Sequence, residues 1–107
     1  MKTKYIVLLF SVLVSIQHSF AQTRSLLSGK ILDEKTGAPL PGATLFIHDV
    51  NRNAIANDTG DYKTSNIPAG TYLVEVSYIG HASIVERITI NGTTTRNFLL
   101  KDAVVEQ

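Results

Sequence analysis

The chain has 107 residues, ten basic against nine acidic, with a formal net charge of +1 and no cysteine. That length holds one domain, and the scattered, balanced charges offer no basic stripe to meet nucleic acid. The missing thiols exclude disulfide staples, thiolate metal sites and a lipid anchor on cysteine, so an aliphatic core must carry the stability alone.

The N-terminus reads as an export signal. Lys2 and Lys4 form a basic start, Tyr5 to Ile16 is apolar apart from Ser11 and Ser15, and Ser19-Phe20-Ala21 sets small residues where a signal peptidase reads. Cleavage is expected between Ala21 and Gln22, making residues 1–21 a signal peptide and the product an exported one. A membrane-spanning helix needs roughly 20 apolar residues, and Gln17 and His18 end the run too early for that.

The rest reads as short strands and turns. Leu26 to Asp33 is a first strand, with Leu27, Gly29 and Ile31 alternating against Ser28 and Lys30. Asp33 to Gly37 is a turn, since Asp bonds its own backbone and Gly accepts a positive φ. Pro39-Leu40-Pro41-Gly42 excludes a helix and predicts an extended or turning connection at a sheet edge. Ala43 to His48 is a second strand with Ala43, Leu45 and Ile47 inward, followed by a turn over Asp49 to Asn53. Ala54 to Asn57 and Asp61 to Thr64 read as strands joined by a hairpin at Asp58-Thr59-Gly60, and Asn66 to Gly70 as a lead into the next strand.

Gly70 to Gly80 is the richest strand signal, nearly all β-branched or aromatic between its glycines. Its alternation puts Tyr72, Val74, Val76 and Tyr78 on the core face and Leu73, Glu75, Ser77 and Ile79 on a mixed one. Ile84 to Ile90 resumes after a break, with Glu86 interrupting its apolar face and predicting a bulge or an edge. Asn91-Gly92 is a hairpin turn signal, and Thr94 to Leu100 closes the set with Phe98 and Leu100 inward. Seven short strands and no helical period define an all-β, immunoglobulin-like sandwich.

The motifs in this order carry a family resemblance. Ser28-Gly29-Lys30-Ile31-Leu32-Asp33, then Thr36-Gly37-Ala38-Pro39-Leu40-Pro41-Gly42, resembles the opening of the carboxypeptidase-regulatory-like domain. Asp58 to Tyr62, around Gly60, is similar to its hairpin with one residue fewer. Gly70 and Tyr72, then Val76-Ser77-Tyr78-Ile79-Gly80, resemble its later strand in the form found at the N-terminus of TonB-dependent, SusC-like outer-membrane transporters. The resemblance implies a transthyretin-like sandwich over residues 22–102 without catalytic residues, a tail over 103–107, and a receptor plug and barrel or another periplasmic protein as partner. It also implies that this chain is the N-terminal accessory domain of such a receptor, as a fragment or truncated product. The alternative is a stand-alone periplasmic or secreted module binding protein or glycan.

Candidate sites are few. Asp49 to Asn53 imitates half a calcium loop, yet Ala54 and Gly60 stand where that loop needs Gly and Glu. His48 and His81 have no ligand cluster beside them in sequence, so no metal or cofactor is expected and each histidine reads as solvent-facing or locally bonded. Asn57-Asp58-Thr59 and Asn91-Gly92-Thr93 match glycosylation sequons but coincide with turns. No nucleophile pair or phosphate-cradling loop is present; a third, distant option is the purine-pathway hydrolase that shares the transthyretin-like fold, whose His/Arg constellation and C-terminal Tyr-Arg-Gly-Ser are not matched by Val104-Val105-Glu106-Gln107. The tail over Ala103 to Glu106 reads as a frayed end, or else as a strand to add to a partner.

Overall fold

The computed structural model describes residues 24–104. The apolar N-terminal run and the Ala21–Gln22 cleavage point lie outside them. The described chain forms eight strands: β1 (Arg24–Asp33), β2 (Thr44–Ile47), β3 (Arg52–Ile55), β4 (Asp61–Pro68), β5 (Gly70–Ser77), β6 (Ile84–Ile90), β7 (Thr93–Thr95) and β8 (Phe98–Leu100). No helix among the described residues is long and apolar enough to cross a membrane.

Two sheets face each other. One runs β3-β2-β5-β6 and is antiparallel throughout. In the other, β1 pairs with β4 on one side and, in parallel, with β7 and then β8 on the opposite side. The alternation of each strand aims one face inward. Leu27 and Ile31 meet Leu45, Ile47, Val74, Val76, Ile90 and Leu100 in the core, all fully buried. Tyr72, Tyr78 and Ile84 pack partly buried against this cluster, completing the core face expected for β5.

Several expectations need correction. β3 and β4 do not form a hairpin, because β3 pairs with β2 and β4 with β1. Asn57 to Gly60 still makes a tight turn, but one that carries the chain from one sheet to the other. β4 also extends to Pro68, leaving only Ala69 before β5. Asn66, in the left-handed region at φ 63°, sits where the β1–β4 register slips. Asn91-Gly92 likewise connects opposite sheets. Of the bulge or edge expected at Glu86, the structure has the edge: β6 borders its sheet and keeps an unbroken register with β5.

The last strand is split in two. Arg96 and Asn97 interrupt it beside Gly29 and Lys30 without changing its register along β1, and β1 is adapted to the interruption. A Cβ on Gly29 would lie 1.9 Å from the Arg96 carbonyl oxygen, so only glycine fits beneath it. The Tyr62 hydroxyl donates to that same carbonyl from below. Burial raises the Tyr62 phenol's pKa, which keeps it a donor. The Asn97 side chain accepts the Lys30 amide at 2.9 Å, replacing the main-chain acceptor lost at the break. The Arg96 guanidinium reaches Glu86 Oε1 at 2.7 Å and its Nε donates to Oε2 at 2.9 Å, tying the edges of the two sheets together.

Candidate functional site

Most motif residues build turns around the end of β1. Asp33 is its last residue and is largely buried. Its Oδ2 accepts from the Thr36 amide at 2.9 Å and the Thr36 hydroxyl at 3.0 Å, while the Gly37 amide donates to the Asp33 carbonyl. Pro39 bridges to Leu32, Leu40 is buried, and Gly60 is buried against Ile31 and Pro39. Pro41 is exposed, and the Gly42 amide donates to the Ala56 carbonyl. The Tyr72 ring folds back over Gly70 so that its hydroxyl donates to the Pro68 carbonyl. Ser77 pairs with Thr44 at the end of β5. These roles are structural, and each motif is legible as turn or strand chemistry.

The other sequence candidates stay apart. His48 lies on the outer face of the β3-β2-β5-β6 sheet, with Nε2 3.0 Å from Glu75 Oε1 and its ring edge-on to Phe46 at 4.8 Å. Asp49 falls in a short 3-10 turn over His48–Val50, closed by Asn51 at φ 51°, which is a β2–β3 hairpin loop. The Asn57 side chain accepts from the Thr59 and Asp61 amides, at 3.1 and 2.9 Å, as its turn role requires.

His81 is different. It is locally bonded as expected, with Nδ1 3.0 Å from the Ile79 carbonyl, but it does not stand away from carboxylates. Its Nε2 lies 2.7 Å from Asp33 Oδ1 and 3.7 Å from Asp102 Oδ1. Three segments converge here. Tyr78 to His81 is a turn after β5, closed by the His81 amide on the Tyr78 carbonyl, with Gly80 at φ +75°. The chain beyond β8 runs alongside it, the Ala82 amide bonding Lys101 and the Ala103 amide bonding Gly80. Asp33 arrives from β1. The Tyr78 ring closes one side of the imidazole, edge-on at 5.3 Å.

Asp33 is held at a pKa of about 2, chiefly by the hydrogen bond from His81 and then by those from Thr36. His81 is raised above its ordinary value, first by the Ile79 carbonyl and then by Asp33. Sequence reasoning missed this cluster because its members are far apart in the chain. The one available signal was a buried-side Asp ending β1 in a chain with so few histidines. Beside the cluster lies a shallow depression of about 410 Å³ lined by Glu34, Lys35, Lys101 and Asp102.

The described architecture is that of a β-sandwich module. The chain belongs to the CarboxypepD_reg-like domain family, whose model matches residues 27–107. No curated protein sequence matches it. Among solved structures, it is similar to a chain of a type II cohesin–X-dockerin complex from Acetivibrio cellulolyticus. There the TM-score is 0.64 at 18% identity, covering 71% of this chain and 56% of that one. BcpA, the major pilin subunit of Bacillus cereus, is similar with a TM-score of 0.61 at 15% identity, covering 76% and 31%. Hydroxyquinol 1,2-dioxygenase from Pseudomonas putida reaches a TM-score of 0.64 at 8% identity, covering 78% and 58%. The chain thus spans little more than half of the first structure it resembles. At these identities the likeness is one of fold, and a fold shared by an enzyme, a pilin and a cohesin complex selects no function.

Proposed function

We propose that this domain is an exported, non-catalytic accessory module at the N-terminus of a TonB-dependent, SusC-like outer-membrane receptor, working on the periplasmic side. The observation that carries this reading is the family match over residues 27–107, with Val76-Ser77-Tyr78-Ile79-Gly80 at the exit of β5 in the receptor-type form. The partner is then the receptor's own plug and barrel.

A second reading, a stand-alone module that binds protein or glycan, draws on a different observation. The outer face of the β3-β2-β5-β6 sheet exposes Ile55 and Val85 and half-exposes Leu73. Similar folds occur in a cohesin–dockerin complex and a pilin. The coding sequence after codon 107 separates the two. An in-frame plug and barrel supports the receptor reading, while a stop codon followed by an unrelated gene sinks it.

A further inference from the structure

We propose that Asp33, His81 and Asp102 form a binding site for a divalent transition-metal ion, which fastens the chain after β8 to the turn after β5. The argument begins with the imidazole. A neutral ring carries one proton and one lone pair. Here Nδ1 lies against the Ile79 carbonyl and Nε2 against the Asp33 carboxylate, both of which are acceptors. With the proton on Nδ1, the Nε2 lone pair points at a carboxylate 2.7 Å away, and a positive species is required between them.

A second proton, on Nε2, makes the imidazolium, which satisfies Ile79 and Asp33 together. It leaves Asp102 Oδ1 at 3.7 Å from that nitrogen, beyond hydrogen-bond reach. A metal ion satisfies all three. The donor atoms lie within 4.8 Å of one another, and bonds of about 2.0–2.2 Å to nitrogen and oxygen bring such a set to within about 4.4 Å. Closing on an ion draws in Asp102, whose side chain is 62% exposed, and opens the 2.7 Å His81–Asp33 pair by a few tenths of an ångström, since ligands at those bond lengths lie about 3 Å or more apart.

The surroundings match what holds metal ligands elsewhere. A ligating histidine characteristically donates its other N–H to a backbone carbonyl, and a ligating carboxylate is itself hydrogen-bonded. Ile79 supplies the first, and the Thr36 amide and hydroxyl supply the second through Oδ2, which leaves Oδ1 for the ion. The His81 and Asp33 side chains are only 14% and 12% exposed, so the geometry is fixed from below and open at Asp102. Imidazole with two carboxylates suits a first-row ion such as zinc or manganese better than calcium, which takes oxygen ligands in larger number. Lys35 stands 4.0 Å from the other oxygen, Asp102 Oδ2, and is itself highly exposed, so water screens its charge and its side chain is free to swing aside. A chain without disulfides gains a cross-link between segments that sequence does not connect.

The test uses untagged purified protein, stripped with chelator and dialysed against zinc, manganese or calcium chloride. Elemental analysis and titration calorimetry read the result. The expected result is one zinc per chain, with calcium at least tenfold weaker. His81→Gln and Asp102→Asn should abolish stoichiometric zinc, and Thr36→Val should weaken it roughly tenfold or more by freeing Asp33. Asp102→Asn changes an exposed side chain and keeps the fold intact. Zinc should also slow amide exchange at Ala82 and Ala103 in the wild type and leave it unchanged in His81→Gln. Wild-type protein that retains no zinc after dialysis overturns the proposal, as does zinc bound equally well by folded His81→Gln.

Discussion

Gly29 and His81 show how much depends on one atom. Adding a methyl group at Gly29 places it 1.9 Å from the Arg96 carbonyl, so β1 or the last strand must move. Gly29→Ala is expected to cost about 3 kcal/mol, at the upper end for overpacking because the obstacle is backbone, and urea unfolding would measure it. His81 makes the protein's stability depend on pH. Asp33 has its carboxyl lowered from 3.8 to about 2, so its contribution is complete above about pH 4 and is lost as pH falls toward 2. His81 is raised above 6.5, so its contribution is complete below that value and is lost as pH climbs through the raised one. Wild type in chelator should therefore exceed His81→Gln by most near about pH 5, with the gap closing toward both ends. Urea midpoints across that range decide it, and a constant gap would refute the pairing. Asp33 was legible as a turn residue from Thr36 and Gly37 beside it. Its contact with a ring 48 residues away was not, because no local rule brings β1 to the turn after β5.

At the scale of the element, β5 carries the sharpest contrast. Val76 is completely buried between Leu45 and Ile84 in the register, while its neighbour Glu75 points outward to His48. Val76→Asp buries a carboxylate without a partner and should cost about 4 kcal/mol or more, enough to deplete soluble folded protein. Glu75→Lys loses only a partly exposed pair with His48 and should change stability by about 0.5 kcal/mol. A Cβ at Gly80 meets no atom within 4 Å, so the cost of Gly80→Val comes chiefly from the backbone. A side chain at φ +75° costs about 1–2 kcal/mol. The order Val76→Asp, Gly80→Val, Glu75→Lys is the checkable statement. A damaging Glu75→Lys beside a mild Val76→Asp would invert the face assignment of β5. Both faces of β5 were readable because alternation is a property of the strand itself. The split into β7 and β8 was not, since Thr94 to Leu100 alternates well enough and only the Arg96 carbonyl pressed against Gly29 breaks it.

For the whole molecule, export and fold are separate questions with separate tests. The basic start, short apolar run and small residues before Gln22 should direct export with removal of residues 1–21. N-terminal sequencing of the periplasmic fraction should begin at Gln22, and Met1 recovered in a membrane pellet would overturn both cleavage and location. Within the domain, the sequence by itself determined the strand faces, the turns at Asp33, Asn57 and Gly80, and the family. These depend on residues within a few positions of one another, where φ preference, side-chain capping and the period of two act. The tertiary structure alone decided which strands share a sheet, so that β3 and β4 part company at a turn that looked like a hairpin. It also laid β7 and β8 parallel to β1 and gathered Asp33, His81 and Asp102 at one end. Partner choice depends on how the apolar faces can be buried together at least cost, a property of the assembled sandwich and of no single stretch.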